Sequence, residues 1–598
     1  MSKLLNRQEV PTEQTWNVED LFESVSSWEK ELAALQEDVK TVTQYKGRLA
    51  ESAHTLYDAI LALDSFYGRL VRVGTYANLN ISVDGANTTH QENAMKVGQA
   101  FSQINAKLAF FDSELMEIPK ETFESFFKEA DELQTFAKMI DDILEQKKYA
   151  LSAEVEEVLA TLGEVHDAPY TIFERAKATD ISFDSIQDED GNELPMSEAL
   201  FEDEYETSTS RHIRQAAFES YNRTMHRYKN TFAAIYATEV TKQVTIAKLR
   251  GYDSVIDMLL ARQDVTKQMY ENQLNIIQKE LAPHMQKFAK LKQADYNLDH
   301  MTFIDLKLSI DPDFTPETTY DKAQEMILDS LEVMGEEYVD IMKKAFNERW
   351  IDYSSNLGKR SGAFCASPHG SHPYIMMTWT DIMRSTFTLA HELGHAGHFY
   401  LANKHQHVLN TRPSMYFVEG PSTLNELLLA EHLMDKTDDK RMKRWVAAQL
   451  LGTYYHNFVT HLLEGEFQRR VYDLAERGVP LTADLLCEQK LETIRNFWGD
   501  AAEIEEDAGL TWMRQPHYYM GLYPYTYSAG LTVSTAMAKR IKEEGQTAVD
   551  DWLDVLRAGG TLKPLELIKK TGIDMENEET IREAVQYVGS LVDIVASE

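Results

Sequence analysis

The chain has 598 residues, with 97 Asp or Glu against 60 Lys or Arg, a formal net charge of -37. That balance excludes a nucleic-acid partner, which calls for a basic patch; it reads as a solvated acidic surface, with an acidic channel for basic peptides as the lesser alternative. Two cysteines exclude a disulfide framework, no run approaches 18 apolar residues and the first seven residues hold no apolar signal core, so the expected setting is the cytosol, away from membranes.

The first 175 residues read as helices. Leu56, Ile60, Leu63, Tyr67 and Leu70 recur at i, i+3/i+4 spacing, the stripe of an amphipathic helix, and further stripes run through 101–115 and 151–162. A strand-like stretch at 181–186 is followed by Asp190-Gly191, a hairpin turn signal. The acidic, irregular stretch 187–210 is the main boundary candidate. Helical patterning resumes at Arg211 and continues nearly to the end. The expected fold class is therefore mainly α, with a small sheet near residues 360–378. Neither an internal repeat nor a low-complexity tract is visible.

Residues 391–395 read His-Glu-Leu-Gly-His. Four residues advance a helix by about 400°, so His391 and His395 point the same way and can share one metal at about 2.0–2.1 Å. Glu392 is one step round, where a general base for a zinc peptidase sits. Thr380 or Asp381 offers a cap, and Ile382, Met383, Phe387, Leu389 and Ala390 form an apolar stripe, which places the motif in a largely buried helix. Gly394 and Gly397 each cost that helix about 1 kcal/mol relative to Ala; they suit close packing against another backbone. The metzincin pattern needs glycine at 398 and histidine at 401; His398 and Leu401 exclude it, and His398 reads as a packing or supporting residue.

A catalytic zinc wants three protein ligands and one open position. Downstream, Pro421 is tolerated only in a first helical turn, so Glu419 starts a second helix running through Ala430. Glu426, seven residues on, shares its face. Two carboxylates on an apolar helix are costly to bury unless paired or metal-bound. One suits a ligand and the other a partner that orients a ligand histidine. A third segment, 512–530, holds His517, Tyr518, Tyr519, Tyr523, Tyr525 and Tyr527 between glycines. Phenol or imidazole donors there suit an oxyanion hole, each worth on the order of 3 kcal/mol; an aromatic core segment is the equal alternative.

Taken together, HELGH at 391–395, FVEGPSTLNE at 417–426 and the PHYY and YPYTY runs at 516–519 and 523–527 resemble the thimet oligopeptidase and oligoendopeptidase F group of zinc metallopeptidases. Residues 7–22 resemble the opening of oligoendopeptidase F in particular, and the run GKRSGAFC at 358–365 resembles the group's segment ahead of the metal helix, so the likeness spans nearly the whole chain. It implies a two-lobed helical body with a deep central channel, an N-terminal helical domain at 1–190 and a catalytic domain at 205–590. It implies one zinc ion held by His391, His395 and Glu419, with Glu392 as base and Glu426 supporting the site. His517 matches the histidine that binds substrate or transition state. Tyr527, then Tyr523, is the choice for the catalytic tyrosine. The β-prone run 372–377, with His372 and Tyr374, resembles an edge strand that pairs with the peptide backbone. The implied activity is cleavage of internal bonds in short unstructured peptides. A zinc carboxypeptidase of similar fold, which would need a cation to grip a free C-terminus, and a non-catalytic peptide-binding protein are the alternatives. Manganese or cobalt are further candidates for a histidine–carboxylate set.

Overall fold

Long amphipathic helices organise the chain, and their boundaries follow local capping chemistry. The computed structural model describes residues 5–597. Helix α1 (Ala53–Val83) begins where the Ser52 hydroxyl accepts from the Thr55 amide; Leu56, Ile60, Leu63 and Leu70 of the expected stripe are buried and Tyr67 is half-buried. The stripe at 101–115 is shared by two helices, Thr88–Leu108 and Phe110–Glu117, and 151–162 contains the helix Ala153–Thr161. The hairpin signal is realised by β1 (Ile186–Gln187) and β2 (Glu193–Leu194), which pair antiparallel around Gly191 at φ +84°. Helix α2 (Arg211–Arg250) then runs for 40 residues from a Ser210 cap to Gly251, a left-handed C-terminal stop.

The sheet beside the site has three short strands, β3 (Ile351–Asp352), β4 (Phe364–Ala366) and β5 (Tyr374–Met376), in the order β3-β5-β4. β5 is central, parallel to β3 and antiparallel to β4. This corrects the expectation that 372–377 is an edge strand. The reason is burial on both faces. Alternate side chains of a strand point to opposite faces: Ile375 enters one hydrophobic core, while Tyr374 and Met376 enter the other. The edges are β3 and β4; backbone bonds flanking β3 (Tyr353 N to Gln14 O, Asn17 N to Arg349 O) tie it to the opening segment, whereas β4 pairs with β5.

Those two cores make the two lobes. One gathers buried residues from Trp16 to Ile140, the other from Phe173 to Val595, and the sheet lies at the seam. The opening segment braces that sheet. Arg7 pairs with the buried Asp352, which also takes Lys359 Nζ at 2.7 Å, and the Trp16 ring lies 6.1 Å from Tyr374 and 6.2 Å from Phe364. The resemblance seen in residues 7–22 thus has a structural counterpart: the segment holds β3 and β5 in place.

Five helices frame the site: α3 (Met383–His405), α4 (Gly420–Lys436), α5 (Lys440–Tyr454), α6 (His461–Glu476) and α7 (Thr526–Glu544). Helix α3 carries no side-chain cap. Its N-cap is Ile382, while Asp381 takes a left-handed φ of +55° and accepts from the Trp379 indole, and Thr380 bonds the Ser385 hydroxyl. Neither candidate cap therefore serves as one. The glycines on α3 are accounted for by close approach: a Cβ on Gly394 would stand 2.4 Å from the Pro421 carbonyl oxygen of α4, and one on Gly397 would stand 2.6 Å from the Tyr338 ring. The first is backbone contact, as expected; the second is a side chain.

Candidate metal centre and catalytic cluster

Helical geometry puts His391 and His395 one turn apart, and the glycine contact with Pro421 lays the start of α4 across them. Glu419 is the N-cap residue of α4, with Pro421 in the first turn. Its Oε2 lies 3.5 Å from His391 Nε2 and 3.4 Å from His395 Nε2. Three donors bound tetrahedrally at about 2.0–2.1 Å stand about 3.4 Å from one another, so this spacing fits a zinc-sized ion. The far nitrogen of His391 is engaged: Nδ1 bonds Glu426 Oε1 at 2.7 Å, and Glu426 Oε2 accepts from Thr453 Oγ1 of α5 at 3.0 Å. With Nδ1 committed, Nε2 is the nitrogen turned to the donor set. Ser422 Oγ donates to Glu419 Oε2 at 3.0 Å.

Electrostatics agree with a cation site. Burial alone would lower His391, but the carboxylates of Glu426, Glu392 and Glu419 push it up to about 10. Burial alone would raise Glu419, yet the His395 and His391 imidazoles hold it down at about 2. This negative cluster attracts a proton in the absence of a metal and a dication in the proton's place. Glu392 is buried, its Oε2 has no hydrogen-bond partner, and burial raises its pKa. An orphaned buried carboxylate oxygen one residue from a metal-type histidine is poised to take a proton.

The segment 512–530 divides in two. His517, Tyr523 and Tyr527 converge: the His517 ring is 5.2 Å from Tyr523 and 5.8 Å from Tyr527, and Tyr527 OH is 3.2 Å from Tyr523 OH. Helix α7 is held against the metal-type residues by Gly530, where a Cβ would stand 2.8 Å from Glu419 Cβ. The Glu419 charge reaches both phenols and, after burial, helps keep them protonated. Burial, together with the charge of His461, pushes His517 down to about 4, so it is neutral near pH 7 and one ring nitrogen carries a donor. Tyr518, Tyr519 and Tyr525 are core instead. Tyr518 and Tyr519 pack on Tyr236, and Tyr525 OH donates to Gln263 Oε1 at 2.6 Å.

His372 and Tyr374, expected at the substrate, are engaged with other residues. His372 stacks on Trp350 at 5.2 Å and bonds Asp20 at 3.0 Å; Tyr374 is fully buried against Trp16. His398 is buried packing, stacked on Phe399 with neither ring nitrogen bonded, and burial holds it at about 3. Two residues went unnoticed in the sequence. His461 of α6 stacks flat on Tyr527 at 4.2 Å and 15°, with Nδ1 on Glu464 at 2.8 Å and Nε2 on His456 at 3.0 Å. The spacing His-x-x-Glu in an apolar helix is a signal that would have found them.

The comparisons with known proteins point the same way. Residues 205–587 match the profile of peptidase family M3, and residues 114–183 that of oligopeptidase F. The chain is similar to oligopeptidase PepF of Bacillus subtilis (strain 168), 32% identical over 592 residues that cover 99% of this chain and 88% of that protein. The crystal structure of oligoendopeptidase-F from Enterococcus faecium superposes with a TM-score of 0.74 at 25% identity, over 96% of this chain and 98% of that one. A peptidase structure from Chlamydophila abortus shares the fold over the full length of both chains, with a TM-score of 0.87 at 24% identity. Among the described residues no helix is long and apolar enough to cross a membrane. With a profile match over more than half its length and a relative above 30% identity along nearly all of it, this chain belongs to peptidase family M3, within the oligopeptidase F group.

Proposed function

We propose that the protein is a zinc-dependent oligoendopeptidase that hydrolyses internal bonds of short, unstructured peptides in the cytosol. The observation that carries this reading is that Glu419 Oε2 stands 3.4–3.5 Å from Nε2 of both His391 and His395, all three ligand atoms lying within 4.8 Å of one another, beside the unpartnered Oε2 of Glu392. Both cysteines are unpaired, in keeping with a reducing compartment. The relatives' names, oligopeptidase and oligoendopeptidase, support small peptide substrates cut internally.

In this reading His391, His395 and Glu419 hold the ion, and Glu426 fixes the tautomer of His391 by accepting a hydrogen bond from its Nδ1–H. When bound, zinc supplies Lewis acidity, lowering the pKa of water to about 7 and polarising a carbonyl. Glu392 takes the proton from the attacking water and hands it to the leaving amine. Burial raises its pKa, which makes the carboxylate a stronger base. As the peptide carbonyl becomes tetrahedral, neutral His517 and the protonated phenols Tyr527 and Tyr523 are the donors for its oxygen. The half-buried edge strand β4, rather than residues 372–377, is the place for the substrate backbone to pair.

Replacing Glu392 with Gln keeps the shape of the side chain and removes its basicity. Metal analysis of E392Q should still find about one zinc per chain, while kcat on a peptide blocked at both ends falls about a thousandfold. Undiminished turnover by E392Q would mean that another group is the base, and failure of wild type to cut the doubly blocked peptide would defeat the endopeptidase reading.

A further inference from the structure

Arg412 lies on the connection between α3 and α4, the two helices that carry the candidate metal ligands. Its guanidinium carbon sits 4.2 Å from the centre of the Phe399 ring. Phe399 is one turn beyond His395; the two rings are nearly parallel, 12° apart, with centres 6.2 Å from each other. An extended peptide advances about 3.3–3.6 Å per residue. The guanidinium therefore lies no more than about three residues' length from the His395 imidazole.

The edge strand leads to the same place. Arg412 Nη2 is 3.5 Å from the carbonyl oxygen of Ser367, the residue that follows β4. The Cys365 thiol on β4 feels the charges of both Glu392 and Arg412. Base, edge strand and guanidinium thus lie near one another.

Arg412 also has no carboxylate partner. Its contacts are the Phe399 face and that single long approach to Ser367, and among the described residues no ion pair includes it. In a chain with 97 acidic residues to 60 basic ones, this guanidinium is left free to take a carboxylate from outside the chain. The residue is exposed, yet surrounding protein lowers its pKa, with the Cys365 thiol and no carboxylate acting against that. Packing against the Phe399 ring holds the planar group in place. The five N–H donors of a guanidinium form a fork that fits a carboxylate with two parallel hydrogen bonds.

We infer that Arg412 is a specificity-determining residue that binds a carboxylate of the substrate peptide within about three residues of the bond that is cut. This rests on the peptidase reading above and gives it a substrate class. The carboxylate has two sources, a free C-terminus or an Asp or Glu side chain. A C-terminus held there makes the enzyme release short C-terminal fragments, whereas a side chain held there directs internal cleavage.

The test uses four synthetic peptides of equal length and common core. One has a free C-terminus and no acidic side chain. A second is its C-terminal amide. The third and fourth are amides carrying one Glu, placed on either side of the expected cut. kcat/KM and the cleaved bond are read by mass spectrometry for wild type, Arg412→Gln and Arg412→Lys. For wild type, kcat/KM should be at least about tenfold higher on one of the carboxylate peptides than on the neutral amide, with the cut within three residues of that carboxylate. Which peptide is preferred identifies the source. In Arg412→Gln that ratio should collapse towards one, and Arg412→Lys, which keeps charge but not the fork, should recover part of it. A wild-type ratio near one, or an Arg412→Gln variant that slows all four peptides alike and keeps the ratio, overturns the assignment while leaving the peptidase reading intact. Wild-type protein that cuts none of the four would instead defeat the peptidase reading itself.

Discussion

Glu419 and Glu426 share one helix and one face, yet their surroundings give them different tasks. Glu419 faces both ring Nε2 atoms, while Glu426 reaches the outer nitrogen of His391 and is itself held by Thr453. Replacing Glu426 with Gln should leave the donor set present but free the His391 ring to turn, weakening metal affinity about 10–100-fold; competition against a chelator measures this, and unchanged affinity would remove Glu426 from the supporting role. The two phenols can be separated in the same way. Tyr527 is clamped by the flat His461 ring and donates to Tyr523, so it is the more rigidly aimed of the pair. Tyr527→Phe should lower kcat about 100-fold with KM little changed, and Tyr523→Phe should lower it less. Kinetics of the two variants decide it: a larger loss at Tyr523 would reverse the assignment.

The elements matter through how closely they approach. Helices α3 and α4 meet where Gly394 abuts the Pro421–Ser422 backbone, and α7 meets α4 where Gly530 abuts Glu419. An added methyl at Gly394 has only backbone to push against, so Gly394→Ala should destabilise the protein by about 1–3 kcal/mol and displace Glu419 from the imidazoles, losing metal as well as stability. Gly98, in the exposed face of the helix Thr88–Leu108, has nothing within 4 Å of a built Cβ. Gly98→Ala should therefore stabilise by roughly 0.5–1 kcal/mol. Thermal unfolding with metal analysis of both variants tests the contrast; a harmless Gly394→Ala would mean that the helix contact is soft.

For the whole molecule, imidazoles sheltered from solvent oppose acid. Burial holds the fully buried His398 at about 3 and the half-buried His517 at about 4, both below the value near 6.5 of an unfolded chain. As pH falls through 6.5 the unfolded chain takes up protons that the native state refuses. Stability is then full above about pH 6.5 and is lost towards pH 4, by up to about 1.4 kcal/mol per pH unit for each imidazole. Removing one of them, as in His398→Phe, should make the fall in melting temperature between pH 7 and pH 5 shallower. Chelator-treated protein is the sample to use, so that metal release does not contribute; parallel curves for variant and wild type would show that His398 is not one of the groups responsible.

What the amino-acid sequence determined by itself is what helical geometry makes local. The pairing of His391 with His395, the position of Glu392 beside them, the shared face of Glu419 and Glu426, and the helical class all follow from spacing within one element. The hairpin at Gly191 was legible for the same reason, since a turn is decided by its own few residues. Tertiary packing alone decided the rest. Strand order β3-β5-β4 does not follow chain order, so three strands of two or three residues could not announce that β5 would be the central strand or that Tyr374 would face the core. Nor could spacing separate Tyr523 and Tyr527 from Tyr518, Tyr519 and Tyr525, because all are aromatic and only the helices packed on them differ. His461 with Glu464, and Arg412 beside Phe399, gained their neighbours from segments far along the chain, and that long-range burial leaves little local pattern.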